Sequence, residues 1–500
     1  MSLVKFRMQP FALRGPLGLI ALAGTLLTGC AVGQVYVPPG TTPPASWQAS
    51  LPHGGQLDQI NDWWGQFDDA TVATLVAMSE SGSPSLTIAW ANIEKARATL
   101  ASVRSGRLPS VNASASASRE RSLGVVQTAR SAGFDSSWEL DLFGKLRRNE
   151  EAATARVEAR TRDWHDTRVS LAAEVADVYV QWQACGLLAD AYDRALASNQ
   201  QTETVTTALV RAGLDAVADG ALAQASVASA ADTLLAQQAQ CDLLVKAMVY
   251  LSGAEEGALR ALLEQAPRRL AEPRGFVVTA VPAQVLRQRP DLGALEREVA
   301  ATHAEIGAAQ AALYPSLSLS GSIGLSATTG TPSSAWSFGP SISLPIFDGG
   351  SRQAAIANAQ AAYRSAYASY QQGVRQVVKD VEQSLVRLNS ATSRAQYALI
   401  AETRYRDYFL ATDSNWRAGK VSLLTLEEAR RSALSAEVQR ISLQRDRVQY
   451  WIALYKAVGG GWTQQQQLAQ APAAGSPTAS GPTVGAIASD EFKLQHQALP

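Results

Sequence analysis

The sequence repeats itself. Pro84 in SPSL returns as Pro290 in RPDL, Pro109 in RLPSV as Pro315 in LYPSL, Phe143 in WELDLF as Phe347 in ISLPIF, and Gly213 in RAGL as Gly419 in RAGK. The offsets are 206, 206, 204 and 206 residues. Spacing that constant marks a tandem duplication, so whatever one half forms, the other must form again. Length alone would suggest about three domains, and the repeat overrides that expectation.

Proline marks the long elements inside each half. None occurs between Pro109 and Pro267, and none between Pro345 and Pro472. Blocks of that length, rich in Ala, Gln, Arg and Glu, predict long helices, because proline breaks a helix interior. Tyr363, Tyr367, Tyr370, Val374, Val377, Val381, Leu385 and Leu388 are spaced four and three apart with one extra four. That is a heptad seam with a stutter, as in a coiled-coil-like wall. Leu434, Val438, Ile441, Val448, Ile452 and Tyr455 continue it on the return segment. Each block breaks once, at Arg211-Ala212-Gly213-Leu214 and at Arg417-Ala418-Gly419-Lys420-Val421-Ser422. A basic residue followed by glycine is a helix C-terminal signal, so each block predicts an antiparallel helical hairpin. The ascending arm of the first, from about Lys145 to Ala212, would run roughly 100 Å at 1.5 Å per residue. Cys185 and Cys241 lie equally far from Gly213, one on each arm. They can face each other and pair, or pack as two small reduced side chains.

Between the helical parts lie segments of period two. In 314–326, YPSLSLSGSIGLS, Leu317, Leu319, Ile323 and Leu325 oppose a row of serines. Segments 110–118, 134–142 and 336–346 alternate in the same way. Each half therefore predicts one hairpin of two strands about ten residues long, the length of a tilted membrane strand. Trp138, Trp336, Phe143 and Phe347 fall near the expected strand ends, where an interfacial girdle belongs. A soluble four-stranded sheet under helices would alternate equally well. In lipid, however, four strands leave open edges whose backbone groups cost several kcal/mol each, so copies would have to share one barrel. Eight strands would be nearly filled by side chains; twelve or more leave a pore.

The first residues read as a leader, 1–29, with basic Lys5, Arg7 and Arg14 before an apolar 17–27. It ends in Leu27-Thr28-Gly29-Cys30, which looks like a lipobox with Cys30 as the acylated residue, and Val32 suits sorting to an outer membrane. Such a leader implies an oxidising compartment. The formal net charge is zero, which argues against a nucleic-acid partner.

VYVPPGTTPPASW, SSWELDLFGKLRRNEEAA, RPDLGALEREVAATHAEIGAAQAALYPSLSLSGSIG, WSFGPSISLPIFDGGSRQAA and LYKAVGGGW follow in order across most of residues 30–462. Together they resemble the TolC-like outer membrane factor family, most closely its lipoprotein branch, which serves RND-type efflux systems. The resemblance implies a mixed α and β membrane protein. It would be a homotrimer with a twelve-stranded outer membrane barrel, four strands per chain, continued by a periplasmic helical barrel. It also implies a periplasmic adaptor and an inner membrane RND pump as partners, and passive conduction. The covalent lipid on Cys30 would be the only attached group. In this family the hairpin tips meet the adaptor. Arg211, Gly213 and Leu214 match the first tip, and Arg417, Gly419, Val421 and Ser422 the second. Asp215 departs from the usual small residue. An acidic gate residue often follows the second tip; Glu428 matches, with Glu427 beside it as the alternative.

The resemblance divides the chain into a leader (1–29), an N-terminal linker and helical segment (30–107), a β-hairpin (108–143) and a helical hairpin (144–253). The second half repeats this as an equatorial segment and helix (254–313), a β-hairpin (314–347) and a long helical hairpin (348–458), before an equatorial end and disordered tail (459–500). Two rival readings of function are a channel for type I protein secretion and a coiled-coil lipoprotein without a pore. Enzyme chemistry has little support. There is no GxxxxGK[ST] loop and no metal-site spacing, and among the four histidines His165 reads as part of a solvated helix face.

Overall fold

In a computed structural model of the protein, the described residues are 32–39, 69–122, 124–270, 289–328 and 331–460. The leader, Cys30 and the chain from 461 onward lie outside them, and so do the expectations placed there. Helices α1 (Ala70–Gly82) and α2 (Pro84–Ser105) come first, then the hairpin β1 (Ser110–Ser122) and β2 (Val125–Leu140). The long α3 (Lys145–Arg211) turns into α4 (Val217–Ser252), and short α5 (Glu256–Glu264) follows. The second half gives α6 (Pro290–Ala311), β3 (Ser316–Thr328), β4 (Thr331–Ser343), α7 (Ser351–Arg417) and α8 (Leu423–Ala457). The starts of α6, β3, β4, α7 and α8 each fall 206 residues after those of α2, β1, β2, α3 and α4. The duplication is therefore structural.

Local chemistry explains the boundaries. Ser83 caps α2 through the Leu86 amide, with Pro84 in the first turn. Helices α3 and α7 are 67 residues each, about 100 Å. Both begin after a left-handed glycine, Gly144 and Gly350. The heptad stripe forms the core of α7: Tyr370, Val377, Val381, Leu385 and Leu388 are buried, with Tyr363, Tyr367 and Val374 packed against them. Tyr179 and Val180 of α3 and Val448 and Ile452 of α8 complete that cluster, and α1 and α5 cover it with Leu75 and Leu259.

All four strands form one antiparallel sheet in the order β1-β2-β3-β4. The β2–β3 seam joins the two halves of the repeat, with Phe134 opposite Ile323 and Trp138 opposite Leu319. Gly133 faces Gly324 there; a Cβ on Gly133 would sit 2.8 Å from the Ile323 carbonyl oxygen, so only glycine permits this approach. The strands run 13, 16, 13 and 13 residues, longer than the expected ten. The added length lies mostly at the turn ends. Trp336 also departs from expectation. It pairs with Ile323 in the middle of the ladder rather than at a strand end.

Candidate functional site: an amphipathic open sheet and two helical tips

The register sorts the sheet into two chemical faces. One carries Val111, Phe134, Trp138, Leu317, Leu319, Ile323, Leu325, Trp336, Phe338 and Ile342. The other carries serine after serine. Hydroxyls meet across it in pairs: Ser116 with Ser131 at 2.9 Å, Ser322 with Ser337 at 2.9 Å, and Ser326 with Ser333 at 2.8 Å. Asn112, Asp135, Glu120 and Glu139 share that polar face. The apolar face is uncovered within the chain, with Trp336 79% and Phe338 74% exposed. The outer edges of β1 and β4 have no partner strand among the described residues. A sheet wet on one side, greasy on the other and open at both edges suits a shared membrane barrel. Among the described residues no helix is long and apolar enough to cross a membrane.

At the far end of the helices, both tips have the same geometry. After α3, Gly213 takes φ +70° and donates to Val210 O at 3.0 Å, while Leu214 N reaches Leu209 O at 2.9 Å. After α7, Gly419 at φ +72° donates to Trp416 O at 2.8 Å, and Lys420 N reaches Asn415 O at 2.9 Å. These are two Schellman closures, and glycine is required at both by the positive φ, since the space around each is open. Arg211 and Arg417 end their helices, as dipole chemistry favours, and Arg417 also pairs with Asp413 at 2.8 Å. Ser422 caps α8 by accepting from the Thr425 amide. Leu214 is 75% exposed, with Val217 and Leu424 also presented to solvent. Asp215 accepts from the Ala216 amide, and burial together with the Asp215 contact holds the Asp219 carboxyl above its usual range.

The two gate candidates separate. Glu428 is exposed. Glu427 is buried inside the protomer, paired with buried Arg430, and so does not share the exposed face of Glu428. Arg430 also donates to Asn199 and, at 2.7 Å, to Thr202 Oγ1, and its guanidinium lies 5.6 Å from the Phe409 ring centroid. This latch ties α8 to α3. In sequence, Glu427-Glu428-Ala429-Arg430-Arg431 reads as a solvated face; the only clue was the three-residue spacing of Glu427 and Arg430.

Cys185 and Cys241 are joined in a disulfide between α3 and α4. His165 corrects the sequence reading. It is 6% exposed, set edge-on to Trp164, and burial pushes its pKa down to about 4. The solvated side of α3 at this level is carried by Arg160 and Asp163, and His165 is turned away from it. No cluster of metal-ligating side chains occurs among the described residues.

Near the foot of the sheet, residues 32–39 are strapped down. Val32 N donates to Phe143 O at 3.1 Å, and buried Arg148 donates to Gly33 O at 2.7 Å. Tyr36 donates to Glu296 at 2.6 Å.

Fold and site together define a membrane-barrel subunit with long helical hairpins. The outer membrane efflux protein family model matches residues 75–254 and again 281–460, the second match beginning 206 residues after the first. The chain belongs to that family, an outer membrane channel family rather than an enzyme family. It is similar to the solvent efflux pump outer membrane protein SrpC of Pseudomonas putida, 27% identical over 88% of this chain and 97% of that protein. Outer membrane protein OprJ of Pseudomonas aeruginosa is 28% identical over 90% and 97%. Among solved structures, the outer-membrane channel OprN superposes with a TM-score of 0.77 at 31% identity, covering 87% of this chain and all of that one.

Proposed function

We propose that three copies of the chain close a twelve-stranded barrel in the outer membrane and form the exit duct of a tripartite efflux assembly. Substrate reaches it from an inner membrane pump of the RND type, through a periplasmic adaptor seated on the tips at Gly213 and Gly419. Conduction is passive. The serine face lines the water-filled passage and the apolar face meets lipid. Cys30 carries the lipid anchor. The strap at Val32 favours this, since it holds the chain beside the foot of the barrel two residues after the acylated position. The names of relatives, efflux of solvents among them, favour small apolar cargo over secreted protein.

The carrying observation is the four-stranded sheet with one hydroxyl face, one apolar face and two open edges. The docking part is tested at the tip. Leu214→Asp places a charge where an apolar contact with the adaptor is expected. It should abolish cross-linking to the adaptor and raise intracellular solute accumulation, while conductance in planar bilayers stays unchanged. Full efflux and cross-linking by Leu214→Asp would overturn the assignment of the first tip.

A further inference from the structure

The two hairpins differ at their turn ends. Arg119 and Arg121 of β1 alternate with Glu120, and Arg130 of β2 lies opposite Ala117. The register puts all three arginines on the apolar face, in line with Val111, Phe134 and Trp138. One repeat later the same positions are Leu325, Ala327 and Trp336, so the basic cluster belongs to the first hairpin alone. All three side chains are exposed, and none has a hydrogen bond or ion pair among the described residues. No acidic residue shares this face on any of the four strands. Glu120, Asp135 and Glu139 all point to the serine side. β4, which would adjoin β1 of the next copy, has none at all.

The level of these residues is informative. From Leu140 at the foot to Arg130 is ten residue steps along β2. That is about 33 Å along the strand, or roughly 25 Å of height at the usual tilt. About 25 Å is the height of the apolar band of an outer membrane barrel. Arg130 thus sits at the upper limit of the hydrocarbon, and Arg119 and Arg121 lie just beyond it. Arg119 is about 7 Å from each of the others by strand geometry. An arginine on a lipid-facing surface is costly within hydrocarbon and favourable at the headgroup level, where it forks onto phosphate.

We propose that Arg119, Arg121 and Arg130 form a binding site for the phosphates of an anionic glycolipid headgroup in the outer leaflet, of the lipid A type. This rests on the barrel orientation proposed above. Guanidinium is the suitable donor, because its planar fork matches phosphate and it stays charged at any physiological pH. One copy of the site occurs per chain, so the assembled channel would hold a ring of such lipids around its outer rim.

The test uses the full-length channel reconstituted in phosphatidylcholine vesicles containing either lipid A or its dephosphorylated form. Lipid retained through repurification is quantified by mass spectrometry, and single-channel conductance is recorded on the same samples. The wild type should retain lipid A about tenfold better than the dephosphorylated lipid. The Arg119→Gln, Arg121→Gln, Arg130→Gln triple variant should lose that preference and still conduct, whereas Arg404→Gln on the exposed surface of α7 should keep it. Should the triple variant fail to assemble, each single variant should show part of the loss. Equal retention by wild type and triple variant, with normal conductance, overturns the lipid site alone. Equal retention of both lipids by the wild type does the same. A wild type that neither inserts nor conducts overturns the barrel reading, and the lipid site with it.

Discussion

Two adjacent carboxylates at the start of α8 have opposite surroundings. Glu428 is exposed, so in a ring of copies it can contribute to a set of like charges around one axis. Glu427 is spent on Arg430 inside the protomer. Removing the guanidinium leaves Glu427 and Asn199 buried without their partner, which costs about 3–5 kcal/mol. Arg430→Met should therefore lower the thermal unfolding midpoint strongly, measured by calorimetry in detergent. Glu428→Gln should leave the stability within about 0.5 kcal/mol of wild type and instead weaken cation preference in planar bilayers. A stability loss at Glu428 with unchanged selectivity would reverse the two assignments. Buried titratable groups add a pH dependence at the same scale. His165 is held neutral down to about pH 4, so the folded chain loses stability as pH falls from the ordinary histidine range toward that value. Asp166, raised to about 6 first by burial and then by Asp291, acts in the opposite sense, favouring the fold as pH falls through its shifted range.

At the scale of elements, the hairpins match in length to within one residue and differ in covalent structure. The disulfide closes 56 residues around the first tip, and its counterparts in the second hairpin are Ala391 and Arg447. A loop of that size contributes up to about 4 kcal/mol by restricting the unfolded chain. Reduction, or Cys185→Ser with Cys241→Ser, should thus increase amide exchange in α3 and α4 while α7 and α8 keep their protection. Equal loss in both hairpins would contradict a local staple. Helix limits were legible in the sequence because proline, glycine and the heptad stripe report them directly, from Tyr363 to Leu388 and at both tips. The turn ends of the strands were not. Arg119-Glu120-Arg121 lies just past the alternating segment 110–118, yet in a two-faced sheet its members alternate between opposite surfaces. Trp336 was misplaced for a related reason: a girdle is defined by height, and height follows from register, which a single strand does not carry. The Arg430 latch joins α8 to α3 across 231 residues of sequence, a pairing that no local pattern announces.

At the scale of the whole molecule, the sheet is the least self-sufficient part. Among the described residues its apolar face is exposed at Trp336 and Phe338, and its edge strands β1 and β4 each leave a row of backbone donors and acceptors without a partner strand. In water such a sheet would aggregate; in lipid it must find the edge of another copy. Because β1 and β4 run in opposite directions, β4 of one chain can pair antiparallel with β1 of the next, and a ring built in this way closes without a special strand. The most direct measurement is the number of chains in the conducting species, read by native mass spectrometry on nanodisc samples that also give single-channel currents. Three chains per open channel is the predicted result. Current from a single chain would contradict the shared barrel and everything built on it.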